Sequence, residues 1–327
     1  MTAMEKKELK VVQKEFEDLR QEVSKTVVGQ KEVIDGILRG LVANGHILIE
    51  GLPGIAKTLL VRTVANVTGC KFSRIQFTVD LLPSDIVGIT TYDRGKGFNV
   101  LKGPIFANFV MADEINRATP KTQSALLEAM QERQVTIGRQ TYSLDPPFFV
   151  MATQNPIEQS GVYELPEAQV DRFLFKLEMN YPSLEEEKQI LNQNITTRHF
   201  DDFKLKQIWN PKKIIQLQEL AKEVHVEKPI ESYIVDIINA TRHPDKYNLK
   251  TGKYLQYGSS PRASIGLFIA AKTQALLKGS EYVKPQHVKD IAYDVLRHRL
   301  LLNYEGQAEN IRKDDIVKEI LQKIPTP

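Results

Sequence analysis

The sequence contains one segment whose residue types and spacing suit the binding of phosphate groups. Gly51-Leu52-Pro53-Gly54-Ile55-Ala56-Lys57-Thr58 matches the P-loop pattern, in which two glycines are followed by a lysine and a hydroxyl residue. The backbone N–H groups of such a loop point at phosphate oxygens, and the next helix contributes the partial positive charge of its N-terminus. We expect Lys57 to reach the β- and γ-phosphates of a nucleotide and the Thr58 hydroxyl to ligate Mg²⁺.

The residues around this loop support the same interpretation. The apolar run 46–50 predicts a buried strand before the loop, and 57–68 predicts a helix after it. Ala56 replaces the usual third glycine, and we expect it to fit because its side chain is small, provided that its φ is negative. The competing interpretation is an ordinary turn with an exposed lysine. The strand–loop–helix order favours the phosphate site.

A second apolar run, 108–112, ends in the adjacent acids Asp113 and Glu114. Alone, a strand that ends in two acids is usually just solvated. In the same parallel sheet as a P-loop, however, the carboxyl ends of the strands meet where ligands bind. We therefore expect Asp113 to hold the hydration shell of Mg²⁺, and Glu114 to orient or deprotonate an attacking water.

Three further polar residues are candidates for contacts with phosphate. Asn155 follows the apolar run 148–152 and can hydrogen-bond the γ-phosphate or the attacking water, although Asn-Pro is also a common turn. Arg172 directly precedes an apolar run, and Arg262 lies just inside a predicted helix start. A guanidinium attracts phosphate in either place. A surface salt bridge is the equally open alternative for both arginines.

Alternating strands and helices must position these residues. Apolar runs at 72–78, 108–112, 148–152 and 173–177 predict strands, and helical patterns between several of them indicate a mostly parallel, covered sheet. Two polar excursions interrupt this order, at 80–104 and 132–147, and the second has the alternation of a hairpin. A first helix predicted at 9–23 has one apolar face, which we expect to pack on the domain.

The pattern changes after residue 181. Ser183 and Glu186 form a predicted capping box, proline-marked helix starts follow, and no strand signal stands out. We therefore expect two domains. The predicted α/β domain comprises residues 1–181, and the predicted helical domain comprises residues 182–327.

Composition excludes several other classes of protein. The formal net charge is only +3, so charge does not imply binding to nucleic acid or to a membrane surface. Cys70 is the single cysteine, which we expect to be a small core residue, and the six histidines lack metal-ligand spacing. No secretory signal is visible and no apolar run approaches roughly 20 residues. We expect no membrane insertion and a cytoplasmic location.

Five segments together resemble the AAA+ ATPases, and within them the MoxR family. They are 51–58, 111–118, 152–156, 165–173 and 258–263, and the resemblance extends from about residue 20 to residue 310. Alanine before the P-loop lysine is typical of this family, and Val28-Gly29-Gln30 resembles the upstream element near adenine. The resemblance implies nucleotide contacts from Val28, Gly29, Gln30, Gly51, Leu52, Pro53, Gly54, Ile55, Ala56, Lys57, Thr58 and Leu59.

The same resemblance implies a fold and a set of catalytic residues. The fold is a five-stranded parallel sheet with flanking helices, followed by an all-helical lid. The two excursions correspond to the helix-2 insert and the pre-sensor-1 hairpin. Asn155 is then sensor 1, Arg172 an arginine finger offered to a neighbouring subunit, and Arg262 sensor 2. With Lys57 and Glu114 they complete the predicted catalytic set, and Thr58 and Asp113 are the predicted Mg²⁺ residues.

The function implied is Mg-ATP-dependent hydrolysis by a chaperone-like motor that remodels partner proteins, in some members for metal or cofactor insertion. A homo-oligomeric ring is implied, with a hexamer favoured, and partners often carry von Willebrand A domains. One alternative is an ATPase subunit like that of magnesium chelatase. Another is a DNA-dependent motor, against which stand the lack of a zinc pattern and of a basic, aromatic stretch.

Two further classes fit the sequence less well. A scaffold that binds ATP without hydrolysing it is not favoured, because Glu114, Asn155, Arg172 and Arg262 are all present. A dinucleotide-dependent oxidoreductase is excluded, because no G-x-G-x-x-G follows a predicted strand.

Overall fold

The computed structural model describes residues 6–95, 97–156, 162–193 and 199–327 of the 327-residue chain. The chain divides into two compact units. The sheet unit comprises Glu17–Phe173 and Leu177–Ile215. The helical unit comprises Leu174–Lys176, Gln216–Pro327 and the described residues before Glu17. The predicted domain boundary between residues 181 and 182 stays a prediction.

The strands of the described residues are, in chain order, β1 (Ile47–Gly51), β2 (Phe72–Gln76), β3 (Gly88–Asp93), β4 (Gly97–Lys102), β5 (Phe109–Asp113), β6 (Gln134–Ile137), β7 (Gln140–Ser143), β8 (Phe149–Gln154), β9 (Phe175–Met179), β10 (Leu255–Tyr257) and β11 (Leu301–Leu302). The α-helices are α1 (Lys6–Val23), α2 (Lys31–Val42), α3 (Lys57–Val67), α4 (Pro83–Val87), α5 (Pro120–Glu132), α6 (Glu167–Val170), α7 (Leu184–Gln193), α8 (Pro211–Glu223), α9 (Lys228–Arg242), α10 (Pro261–Leu277), α11 (Pro285–Leu296), α12 (Tyr304–Ala308) and α13 (Lys313–Lys323).

The central sheet has five strands in the order β2-β5-β8-β1-β9. Strand β8 pairs in parallel with β5 on one side and with β1 on the other, and β2 pairs in parallel with β5. All five residues of β5 are buried, as expected for a parallel strand whose sheet is covered on both faces. The five-stranded parallel sheet predicted from the sequence is confirmed.

This topology brings the polar ends of three neighbouring strands together. The P-loop follows β1, the acids Asp113 and Glu114 stand at the end of β5, and Asn155 follows β8. Because all three strands are parallel and adjacent, their carboxyl ends share one edge of the sheet. The fold thus gathers the candidate residues at a single edge.

Two hairpins extend from the sheet unit. Strands β6 and β7 pair antiparallel across Gly138, which has a φ of 64°, so the predicted hairpin in 132–147 is confirmed. The first excursion also contains a hairpin, β3–β4, preceded by the short helix α4. Phe98 and Tyr92 stand opposite each other in this hairpin, and both side chains are largely exposed.

The helical unit holds α9 to α13 and one pair of short strands. The antiparallel pair β10–β11 contradicts the prediction that no strand follows residue 180. These strands have three and two residues, and an alternation of apolar and polar residues cannot be recognised over so short a length. The helix starts predicted at Pro211, Pro261 and Pro285 are confirmed.

Two helices of the sheet unit, α7 and α5, differ in whether a side chain caps their N-terminus. The capping box of α7 is confirmed, because Ser183 N donates to Glu186 Oε2 at 2.8 Å and Glu186 N donates to Ser183 Oγ at 3.3 Å. At α5, Thr119 occupies the N-cap position but its side chain makes no cap hydrogen bond. Its hydroxyl instead lies 3.3 Å from the hydroxyl of Thr122.

Buried apolar residues account for several of the remaining features. The apolar face of α1 is buried, but its residues up to Phe16 belong to the helical unit, so its packing on the predicted α/β domain stays a prediction. Cys70 is buried, and burial raises the pKa of its thiol to about 11. Within the described ranges, no helix is long and apolar enough to cross a membrane, and no group of His, Cys, Asp and Glu side chains has the arrangement of a metal site.

Candidate functional site

The P-loop opens into a pocket of about 670 Å³ whose lining residues all belong to the sheet unit. The pocket is lined by Thr26, Val27, Val28, Gln30, Pro53, Gly54, Ile55, Ala56, Lys57, Thr58, Leu59, Asp113, Glu114, Asn155, Tyr181, Pro182, Glu187, Ile190 and Leu191. Most of the predicted nucleotide-binding and catalytic residues are therefore brought together. The predicted residues Gly29, Gly51 and Leu52 do not line the pocket directly, although Gly29 and Leu52 adjoin residues that do and the Gly51 carbonyl accepts from Lys57.

The P-loop itself has a backbone conformation that one prediction missed. Ala56 has a φ of 63° and Gly54 a φ of 81°, so the expectation of a negative φ at Ala56 is wrong. The loop must turn sharply into α3, whose N-cap position Ala56 occupies, and this turn requires the left-handed region. For a residue with a Cβ that region costs about 1–3 kcal/mol. Lys57 Nζ donates to Gly51 O at 2.7 Å, across the loop.

Asp113 is 7% exposed, and both of its carboxylate oxygens are engaged. The Thr153 hydroxyl donates to Oδ1 at 2.6 Å. The guanidinium of Arg74, on β2, donates to Oδ2 at 3.0 Å through Nε and at 2.6 Å through a terminal nitrogen. These bonds fix the orientation of the carboxylate at the end of β5.

Glu114 is held from two sides, and its backbone is also left-handed, with a φ of 55°. Gln76 donates to Glu114 Oε2 at 2.8 Å, and Arg117 Nε lies 3.1 Å from the same oxygen. The Glu114 N–H donates to Thr153 Oγ1 at 2.9 Å. Neither Gln76 nor Thr153 was predicted as a site residue, and their strand positions beside the acids are visible only once the strand order is known.

One wall of the pocket includes Val28 and Gln30, which belong to the segment predicted to lie near adenine. Val28 is buried, and Gln30, with a φ of 54°, donates through its side chain to Asn180 O at 2.7 Å. Gly29 has a φ of 71°, and a Cβ there would lie 2.5 Å from Glu186 Oε1. The left-handed φ favours glycine at this position, whereas the flexible end of the Glu186 side chain could shift to accommodate a Cβ.

An adjoining wall was missed by the sequence analysis. It consists of apolar side chains at the end of β9 and on α7: Tyr181, Pro182, Ile190 and Leu191. Tyr181 and Leu191 are 67% and 72% exposed. Large apolar side chains left exposed beside a polar cavity are a signal of ligand contact. The apolar surface and the P-loop suit the base and the phosphates of a nucleotide.

The two predicted arginines lie elsewhere. Arg172 is exposed, is not among the residues that line the pocket, and donates to Leu127 O at 3.2 Å. Arg262 is in the helical unit, in the first turn of α10, where its backbone N–H donates to Ser260 Oγ at 3.2 Å. The roles assigned to both residues stay predictions.

The residues present fit a Mg²⁺-nucleotide. The Thr58 hydroxyl and the Asp113 carboxylate are the hard oxygen donors that Mg²⁺ prefers, and both line the same pocket as the P-loop. Lys57 supplies positive charge for phosphate there, and Asn155, 5% exposed, adds a buried amide. The pocket therefore combines oxygen donors that suit Mg²⁺, a loop that suits phosphate and an apolar wall.

Comparisons with known proteins agree with this arrangement. Residues 46–175 match the ATPase family associated with various cellular activities (AAA), and residues 249–320 match the AAA lid domain. A crystal structure of a protein from Cytophaga hutchinsonii is 44% identical, with a TM-score of 0.91 over 98% of this chain and 97% of that chain. The fold, the P-loop and these matches define the class, which is the AAA+ ATPases.

Two relatives define the family within that class. Chaperone MoxR1 of Mycobacterium tuberculosis is 47% identical over 308 residues, which cover 94% of this chain and 81% of that protein. Protein MoxR of Paracoccus denitrificans is 30% identical over an alignment of 331 positions, which covers 95% of this chain and 96% of that protein. The chain belongs to the MoxR family of AAA+ ATPases.

Proposed function

We propose that the protein binds Mg-ATP in the pocket of the sheet unit and hydrolyses it. The observation that carries the proposal is the meeting of the P-loop, Asp113, Glu114 and Asn155 around one pocket. Phosphoryl transfer needs positioning and charge stabilisation more than covalent chemistry from the protein, and these residue types supply both. The family match supports nucleotide binding as the coarser function.

Each residue has a distinct part in the proposed reaction. The P-loop N–H groups and Lys57 hold the phosphates, and the apolar wall on α7 holds the base. Bound Mg²⁺ would be held by Thr58 and Asp113 and would neutralise charge on the phosphates. Glu114 orients the attacking water and accepts its proton, and Asn155 hydrogen-bonds the γ-phosphate or that water.

We further propose that hydrolysis drives the remodelling of a partner protein, because a relative at 47% identity is named a chaperone. A homo-oligomeric ring, with a hexamer favoured, brings Arg172 of one subunit to the pocket of the next, and Arg262 acts as sensor 2. We also propose that the partner carries a von Willebrand A domain, that the protein takes part in metal or cofactor insertion, and that it is located in the cytoplasm.

Two substitutions test the ATPase assignment. Glu114→Gln keeps the size of the side chain but removes the base, so we expect nucleotide affinity to persist and kcat to fall about 10²- to 10⁴-fold. Lys57→Ala removes the lysine that faces the phosphates, so we expect ATP binding in calorimetry to be lost. Wild-type hydrolysis by Glu114→Gln, or tight ATP binding by Lys57→Ala, would overturn the assignment.

Matched controls come from the exposed face of α5 in the same unit. Glu128→Gln and Lys121→Ala make the same chemical changes at exposed positions that do not line the pocket. Both should bind and hydrolyse ATP as the wild type does. Proteins that co-purify with Glu114→Gln in ATP, but not with Lys57→Ala, then identify the remodelled partner, and the absence of any such protein would contradict the motor function.

A further inference from the structure

One hydroxyl group contacts both acids at the end of β5. Thr153, on the neighbouring strand β8, is fully buried. Its Oγ1 lies 2.6 Å from Asp113 Oδ1 and 2.9 Å from the backbone nitrogen of Glu114. A single buried side-chain atom therefore joins the residue proposed to hold Mg²⁺ to the residue proposed to activate water.

The direction of these two hydrogen bonds is fixed by chemistry. The Glu114 N–H can only donate, so the Thr153 oxygen must accept from it. An ionised Asp113 carboxylate can only accept, so the single hydroxyl hydrogen must point at Oδ1. The hydroxyl has no rotational freedom left once both bonds form, and the charge-assisted bond to Asp113 is short.

The bond to Glu114 replaces a hydrogen bond of the sheet. The pairing of β5 with β8 runs to Ala112 opposite Ala152, and β5 ends one residue later, at Asp113. Glu114 then turns out of the strand with a φ of 55° and a ψ of 50°, a conformation that is costly for a residue with a Cβ. The Thr153 hydroxyl accepts the N–H at this turn and so helps to hold the strained conformation.

We propose that Thr153 is a positioning residue for the hydrolysis of ATP, which acts through both Asp113 and Glu114. Its bond to Asp113 Oδ1 orients the carboxylate toward Mg²⁺. Its bond to the Glu114 backbone directs the Glu114 side chain at the attacking water. This inference rests on the proposed ATPase function and adds a residue that does not itself line the pocket.

The first test replaces the hydroxyl with a methyl group of similar size. Thr153→Val should lower kcat about 10- to 100-fold, the usual cost of removing a group that orients a metal ligand. Affinity for a non-hydrolysable ATP analogue measured without Mg²⁺ should not change, because the P-loop is intact. The gain in that affinity when Mg²⁺ is added should shrink by a similar factor. Thr153→Ser, which retains the hydroxyl, should restore both properties.

Controls separate positioning from packing. Thr68→Val removes an equally buried hydroxyl, which bonds only to the backbone of α3, and should leave kcat and the effect of Mg²⁺ unchanged. If Thr153→Val does not fold, Thr153→Ser and Thr153→Ala form a second pair that differs by the hydroxyl alone. Wild-type kcat and wild-type Mg²⁺ dependence in a variant without the hydroxyl would overturn the proposal, as would a serine variant no better than the alanine variant.

A double substitution tests the route through Glu114. In the Glu114→Gln background, Thr153→Val should reduce the remaining rate less than it does in the wild type, because the part of its effect that acts through Glu114 is already lost and only the part through Asp113 remains. An equal loss in both backgrounds would exclude this route. Failure of the ATPase assignment is distinguishable, since the wild type would then not hydrolyse ATP or Glu114→Gln alone would hydrolyse it normally, while the Mg²⁺-dependent affinity still reports on Thr153 and Asp113.

Discussion

His46 is a buried side chain whose two ring nitrogens hydrogen-bond to two different elements of the sheet unit. It lies just before β1 and is buried, and its Nδ1 accepts from Val150 N at 3.0 Å. Its Nε2 donates to Met130 O at 3.1 Å, because the carbonyl can only accept. The ring therefore links β8 to α5 only in the tautomer that carries its proton on Nε2. A second proton, on Nδ1, would point at the Val150 N–H and break that hydrogen bond.

The stability of the fold should follow the titration of this histidine. Burial lowers the pKa of His46 from 6.5 to about 4, so the unfolded chain binds the proton more readily than the folded one. The contribution of the neutral ring is complete above pH 6.5 and is lost as the pH falls toward 4, by roughly 3 kcal/mol in total. Urea unfolding of the wild type between pH 7.5 and pH 4.5 measures this slope.

His46→Asn is the matched control for the pH dependence. Asparagine can still accept from Val150 N but does not titrate, so the free energy of unfolding of this variant should fall less steeply over the same interval. Other titrating groups affect both proteins alike, so the difference between the two curves isolates His46. Parallel curves would show that folding does not lower the pKa of His46.

At the scale of elements, the strongly patterned parts of the fold could be predicted from the sequence. The three central strands β1, β5 and β8 have continuous apolar runs, and the P-loop and the acid pair stand at the ends of two of them, so the edge that carries the site was predictable. Ala56 was misjudged because residue type does not reveal a positive φ that the following helix imposes. Thr153 and the wall on α7 were missed because their roles depend on which elements become neighbours.

Helix α7 offers a prediction at this scale, since it carries Glu187, Ile190 and Leu191 to the pocket. Ser183→Ala removes one half of its capping box, at a cost of about 1 kcal/mol of helix stability. We expect weaker nucleotide affinity with little change in kcat, because α7 lines the pocket with the wall proposed to hold the base and carries none of the proposed catalytic groups. Titration with a fluorescent ATP analogue and steady-state kinetics separate the two effects.

Asn210→Ala is the control for that prediction. Asn210 Oδ1 accepts from Lys213 N at 2.9 Å and caps α8, no residue of which lines the pocket. Its removal should cost similar helix stability without affecting the affinity for nucleotide. Equal losses of affinity in both variants would mean that general destabilisation, and not the wall on α7, sets the binding of the base.

Arg172 is the residue through which we propose that one chain acts on the pocket of the next. Its guanidinium bonds to Leu127 O, and the residue does not line the pocket of its own chain. A guanidinium that stabilises charge on the γ-phosphate typically accelerates the reaction about 10³- to 10⁵-fold, and it can come from a neighbouring subunit. Arg172→Ala should therefore bind ATP normally and hydrolyse it poorly.

Mixing two inactive variants tests whether Arg172 acts between subunits. In an assembly of Arg172→Ala and Glu114→Gln subunits, some interfaces join an intact Glu114 to an intact Arg172, so partial ATPase activity should return. A finger acting within its own subunit leaves every site incomplete. Activity no greater than the sum of the separate variants, in assemblies shown to be mixed and without strict coordination around the ring, would contradict the assignment.

The buried thiol of Cys70 makes that mixing measurable. Cys70 is the single cysteine of the sequence, and with a pKa of about 11 its reactive thiolate amounts to on the order of one part in 10⁴ at pH 7. The native protein should therefore react very little with maleimide dyes. A cysteine introduced at Tyr304, whose side chain is 88% exposed, would take up one fluorophore per subunit. Donor-labelled and acceptor-labelled pools would then report the exchange of subunits as energy transfer while hydrolysis is followed in the same cuvette.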